Sequence, residues 1–155
     1  LNLGNTNGSY IYTIFSDNGD NIATDAVYDL SNVSVKAYLP ATGAEIRLII
    51  RDSNDDWYLS SVVTFNNDQV VTKDIDVSSL TWEKIESSVA QGMNQLENPT
   101  GQWNYKGPGE ITTDSSATSP DLTFVNGGGI YIESPADSTS ILNIIDINWI
   151  SNMSN

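Results

Sequence analysis

Lys36, Tyr38, Arg47 and Arg51 are the residues whose types and spacing come closest to a chemistry. Lys36 and Tyr38 stand two apart and Arg47 and Arg51 four apart, so on extended chain each pair points to one side. Lys36, Arg47 and Arg51 are half of the six basic residues in the sequence. Cations beside a flat ring suit a ligand that offers hydroxyls and apolar C–H faces, because the ring stacks on the latter while N–H groups donate to the former. Tyr131 and Glu133, again two apart, add a ring and a carboxylate. Trp103 and Tyr105 lie in the Gly/Pro-rich stretch NPTGQWNYKGPGE, which reads as a loop, and their spacing predicts a stacking platform at a groove rim. Trp57 directly follows an Asp/Asn-rich turn and either lines the groove or packs inward. The alternative for the four strand residues is a solvated face with internal ion pairs. For the loop rings it is a loop pinned by its own aromatics.

Other chemistries fit poorly. The chain has no histidine and no cysteine, which removes Ser-His-Asp and Cys-His nucleophile systems, thiolate metal sites and disulfides. Retaining glycoside hydrolysis needs two carboxylates about 5 to 5.5 Å apart. The glutamates, at 45, 83, 86, 97, 110 and 133, form no E-x-D-x-x-E run. Asp52-Ser53-Asn54-Asp55-Asp56 begins like a D-x-N-x-D calcium loop, but Trp57 and Val63 replace its Gly and Glu, so a hairpin turn is expected.

The elements that position these residues are strands. Val33 to Phe65 holds three hydrophobic runs with period-two alternation, separated by Pro40-Ala41-Thr42-Gly43 and by residues 52 to 56. Val33, Val35, Ala37 and Leu39 form one side of the first run; Ile46, Leu48 and Ile50 form one side of the second. Paired as neighbours, these runs make a sheet with an apolar back and a front carrying Lys36, Tyr38, Arg47 and Arg51. Strands are also expected at Tyr10 to Phe15, Ala26 to Leu30, Val70 to Val77, Leu80 to Ile85, Asp121 to Val125, Gly129 to Ser134 and Ile141 to Ile150. Turns are expected at residues 17 to 21 and 126 to 128, a short helix at 87 to 96 and loop from 98 to 120. The pattern predicts a single all-β domain over 1–155, an antiparallel β-sandwich of the jelly-roll kind.

Twenty acidic residues against six basic ones give a net charge of −14. Such a surface repels nucleic acid and anionic membranes, and no apolar run is long enough to span a bilayer as a helix. The composition suits a soluble extracellular domain, a monomer within a larger multidomain chain.

The order VSVKAYLPA, IRLIIRDSNDDWYLSS, TWEKI, DLTFVNGGGIYIES and IIDINWI resembles carbohydrate-binding modules of the galactose-binding-like β-sandwich type, over residues 26 to 85 and 121 to 150. The resemblance implies a secreted, non-catalytic module that targets an attached polysaccharide-degrading enzyme to its substrate. Net acidity favours a neutral glycan such as agarose, β-glucan, xylan or mannan. The resemblance also implies a structural calcium with Asp146 among its ligands; a buried carboxylate inside ILNIIDINWI needs either that or a hydrogen-bond network. Two other functions stay open: a calcium-stabilised adhesion or surface-assembly module with a protein partner, and a small sandwich-fold glycosidase.

Overall fold

The structure is a computed structural model that describes residues 8–16, 27–38, 45–65, 69–86, 105–107, 111–114, 119–134 and 143–151, of which 8–16, 105–107, 133, 134 and 143 are described by backbone alone. The described residues form eleven strands: β1 (Gly8–Ser16), β2 (Val27–Tyr28), β3 (Leu30–Tyr38), β4 (Glu45–Asp52), β5 (Trp57–Ser60), β6 (Val71–Asp76), β7 (Trp82–Ile85), β8 (Tyr105–Gly107), β9 (Thr113–Asp114), β10 (Phe124–Ser134) and β11 (Asn143–Ser151). Among the described residues the helical structure is one 3₁₀ turn, Val77–Ser79, capped by the Asp76 carboxylate accepting from the Ser78 amide. The expected helix at 87 to 96 and turn at 17 to 21 lie outside the described residues.

The strands make an antiparallel sandwich of two unequal sheets. The large sheet runs β8-β1-β10-β4-β5-β7-β9, with β2 also paired to β10; the small one runs β11-β3-β6. The chain changes sheet between β2 and β3, β3 and β4, β5 and β6, β6 and β7, and β10 and β11. Alternation explains the core between them. Val33, Val35 and Ala37 of β3 and Ile75 of β6 face Ile46, Leu48 and Ile50 of β4, Tyr58 of β5, and Val125, Ile130 and Ile132 of β10. Each such side chain contributes on the order of 1.5–3 kcal/mol by leaving water, which fixes both registers, since a slip of one residue would turn every apolar group outward. Trp82 and Trp149 pack partly buried against this core, and the Trp82 indole N–H donates to the Val77 carbonyl at 3.3 Å.

Three expectations change. Consecutive strands β3 and β4 do not pair with each other but lie in different sheets, so there is no common front. Asn126-Gly127-Gly128 is not a turn: β10 runs through it as one strand, with a bulge between Val125 and Gly127. Glycine is needed there because a Cβ on Gly127 would sit 3.0 Å from both the Arg51 Cβ and the Trp57 ring. Finally, the stretch from 98 to 120 is not all loop, since β8 and β9 extend the large sheet at its two edges.

Candidate functional site

Because β3 and β4 present their apolar sides to each other, their polar sides lie on opposite outer surfaces of the sandwich. Lys36 and Tyr38 are on the outside of the small sheet; Arg47 and Arg51 are on the outside of the large one.

The small-sheet face is built by register. Lys36 pairs with Asp146 on one side and Thr72 on the other; Ser34 pairs with Asn148 and Asp74; Tyr38 pairs with Asn143. Lys36, Thr72, Asp74, Asp146 and Asn148 are exposed, and Ser34 and Tyr38 half-buried. Asp146 therefore stands in solvent rather than in the core. It pairs with Lys36, whose side of β3 is turned away from the core, so it lies on the outer face of the small sheet. The Asp146 carboxylate accepts from the Asn148 amide at 3.0 Å. Among the described residues no group of three or more acidic side chains gathers to hold a metal ion, around Asp146 or elsewhere. The flanking strand β6 handles its edge with a charge. Lys73 points toward the core side and bends out to donate to the Thr64 carbonyl at 2.9 Å, its ammonium 5.7 Å from the centre of the Phe65 ring.

The large-sheet face gathers most of the other expected residues. Tyr105 pairs with Ile11, Ile11 with Tyr131 and Tyr131 with Arg47, so these four form one row across β8, β1, β10 and β4. In the adjoining row Glu133 pairs with Glu45. Arg51 pairs with Trp57 and Gly127. Most of this face is closed to solvent. Trp57 and Tyr131 are 1% and 3% exposed, packed with Ile49, Leu59 and Ile85, and with Ile111 lying against them. A ring so enclosed supports the face from beneath and does not stack on a ligand. Arg47 is half-buried, and its Nε is buried without a hydrogen-bond partner. Trp103 lies outside the described residues.

The turn from β4 to β5 explains why the DSNDD stretch is a structural device. Asp52 is 1% exposed. Its Oδ1 accepts from the amides of Asn54 (2.9 Å) and Asp56 (3.3 Å), and its Oδ2 from the amide of Asp121 (3.2 Å). Those bonds close the turn and tie it to the segment before β10. Asp55 takes the left-handed conformation that ends such a loop, with φ 62°. Its Oδ1 accepts from Arg51 Nη2 at 2.7 Å, Arg51 Nε at 3.2 Å and Asn126 Nδ2 at 3.2 Å. These bonds, the guanidinium's first, hold the Asp55 carboxyl below its ordinary range. Lys84 is pushed up by its 2.6 Å bond to Asp56.

Tyr28, Asp55 and Asn126 carry little signal in the sequence. Tyr28 sits in a two-residue strand too short to show alternation, and Asn126-Gly127 imitates a turn.

Fold and faces together define an antiparallel all-β sandwich with one open polar face and one largely closed face. No family model, curated protein or solved structure matches the chain.

Proposed function

We propose that this domain is a secreted, non-catalytic carbohydrate-binding module that holds an attached carbohydrate-active enzyme on a neutral polysaccharide of the agarose, β-glucan, xylan or mannan kind. The observation that carries the reading is the uncovered outer face of the small sheet. There the half-buried Tyr38 ring, the Lys36 ammonium, the hydroxyls of Ser34 and Thr72 and the Asn148 amide lie together on three paired strands. A ring for C–H faces, surrounded by donors and acceptors for hydroxyls, is what saccharide recognition in water requires. The work done is mass action: a tethered catalyst meets its substrate at a raised effective concentration. Net charge of −14 disfavours uronate polymers.

Electrophoresis through gels cast with each of the four polysaccharides tests this. Retardation in at least one, relieved by Lys36→Ala combined with Tyr38→Ala, is the expected result. Unchanged mobility in all four overturns it. Exposed Ile145 and Ile150 on β11, 50% and 41% exposed, favour a second reading, an adhesion or surface-assembly module with a protein partner. That module would migrate unretarded.

A further inference from the structure

Among the described residues, Tyr28 is the aromatic side chain most open to solvent, at 45% exposure. It is held in place nonetheless. Its ring meets Phe124 edge-on at 5.1 Å and 62°, and its carbonyl accepts from the Ser151 hydroxyl. The next residue, Asp29, is fixed at φ 48° while its amide donates to the Thr123 carbonyl at 2.9 Å. A ring already braced in this way loses little freedom when a ligand covers it.

Phe124 leads along β10 to Asn126, whose buried amide is 6% exposed and holds the Asp55 carboxylate. All three side-chain bonds to Asp55 fall on Oδ1. Among the described residues no hydrogen bond reaches Oδ2, and the side chain is 68% exposed. The Arg51 bonds and the buried amide aim this oxygen, so little freedom is lost when it accepts a bond. Tyr28 lies one strand to one side of β10, and the β4–β5 turn one strand to the other. The ring meets Phe124 and the carboxylate meets Asn126, two residues apart on β10, which brings both groups to the same stretch of that strand.

We propose that Tyr28 and Asp55 are the two ends of a second saccharide subsite, separate from the small-sheet face. Tyr28 stacks on the C–H face of one neutral sugar unit, and Asp55 Oδ2 accepts hydroxyls of a neighbouring unit along the same chain. A fixed anion at one end selects hydroxyl-rich neutral units and rejects carboxylate-bearing ones. The subsite rests on the carbohydrate-binding reading, and the test separates the two.

The whole chain is run by affinity electrophoresis against agarose, β-glucan, xylan and mannan, with Tyr28→Ala, Tyr28→Phe, Asp55→Asn and Tyr38→Ala alongside; melting curves confirm that each variant is folded. Loss of about tenfold in affinity for both Tyr28→Ala and Asp55→Asn, with Tyr28→Phe within twofold of the parent, is the expected result. Parent affinity in both variants, while Tyr38→Ala weakens binding, overturns the subsite and leaves the proposed function standing. A parent protein unretarded in every gel overturns both.

Discussion

Replacing Asp52 by alanine isolates how much one buried carboxylate contributes to the β4–β5 turn. The side chain is 1% exposed and serves the backbone amides of Asn54, Asp56 and Asp121. Alanine leaves those three amides without their acceptor. At about 1 kcal/mol net for each, the expected loss is about 3 kcal/mol. For a domain of this size that lowers the melting temperature by roughly 6–12 °C. Asp52→Asn keeps one carbonyl oxygen, enough for Asn54 and Asp56, and exposes only the Asp121 amide to a mismatched donor. It should lose about half as much. Urea denaturation followed by tryptophan fluorescence reports both values, since Trp57 is packed beside the turn. An alanine variant within 1 kcal/mol of the parent would show that the carboxylate is not what closes the turn.

Gly127→Ala should destabilise by about 1–3 kcal/mol, because the added methyl meets the Arg51 Cβ and the Trp57 ring at 3.0 Å; a melting temperature equal to the parent's would contradict the close approach. Asp55 has a folded pKa held below its unfolded one by Arg51. Its contribution is therefore present at neutral pH and lost as pH falls through the folded value. With the side chain 68% exposed, screening keeps the effect small, so Asp55→Asn should be under about 1 kcal/mol less stable than the parent at pH 7. That gap should start to narrow as pH falls below the unfolded carboxylate value of about 4, and one that widens with acidification would refute the assignment. Lys73→Ala should raise self-association by uncovering the β6 edge, which sedimentation velocity would detect as a concentration-dependent shift.

The sequence carries the sandwich more clearly than the site. Alternation in β3 and β4 correctly marks Val33, Val35, Ala37, Ile46, Leu48 and Ile50 as inward residues, because a half-buried strand can satisfy only one side with apolar groups. Alternation says nothing about whether the next strand joins the same sheet or crosses over. That is why Lys36 and Tyr38 separate from Arg47 and Arg51. Ile49, fully buried between the two arginines, shows that the second side of β4 is covered as well, a fact that depends on long-range packing. Asp146 stands among isoleucines in sequence, yet the bulge between Ile144 and Asp146 puts it in register with Lys36 on the outer side of the small sheet. The triple glycine looked like a turn for want of the Trp57 ring that occupies the space above it. Short strands β8 and β9 leave no periodic trace in three and two residues.

A single residue, Asp29, separates β2 in one layer from β3 in the other. Its amide and that of Leu30 are anchored to Thr123 and Leu122, at 2.9 Å each, just ahead of the central strand β10. The two layers are stitched along this seam like pages at a spine. Sliding one over the other would first have to tear those stitches. Slow breathing should accordingly fan the layers open from places far from the seam, and amide exchange at 29 and 30 should be among the last to occur.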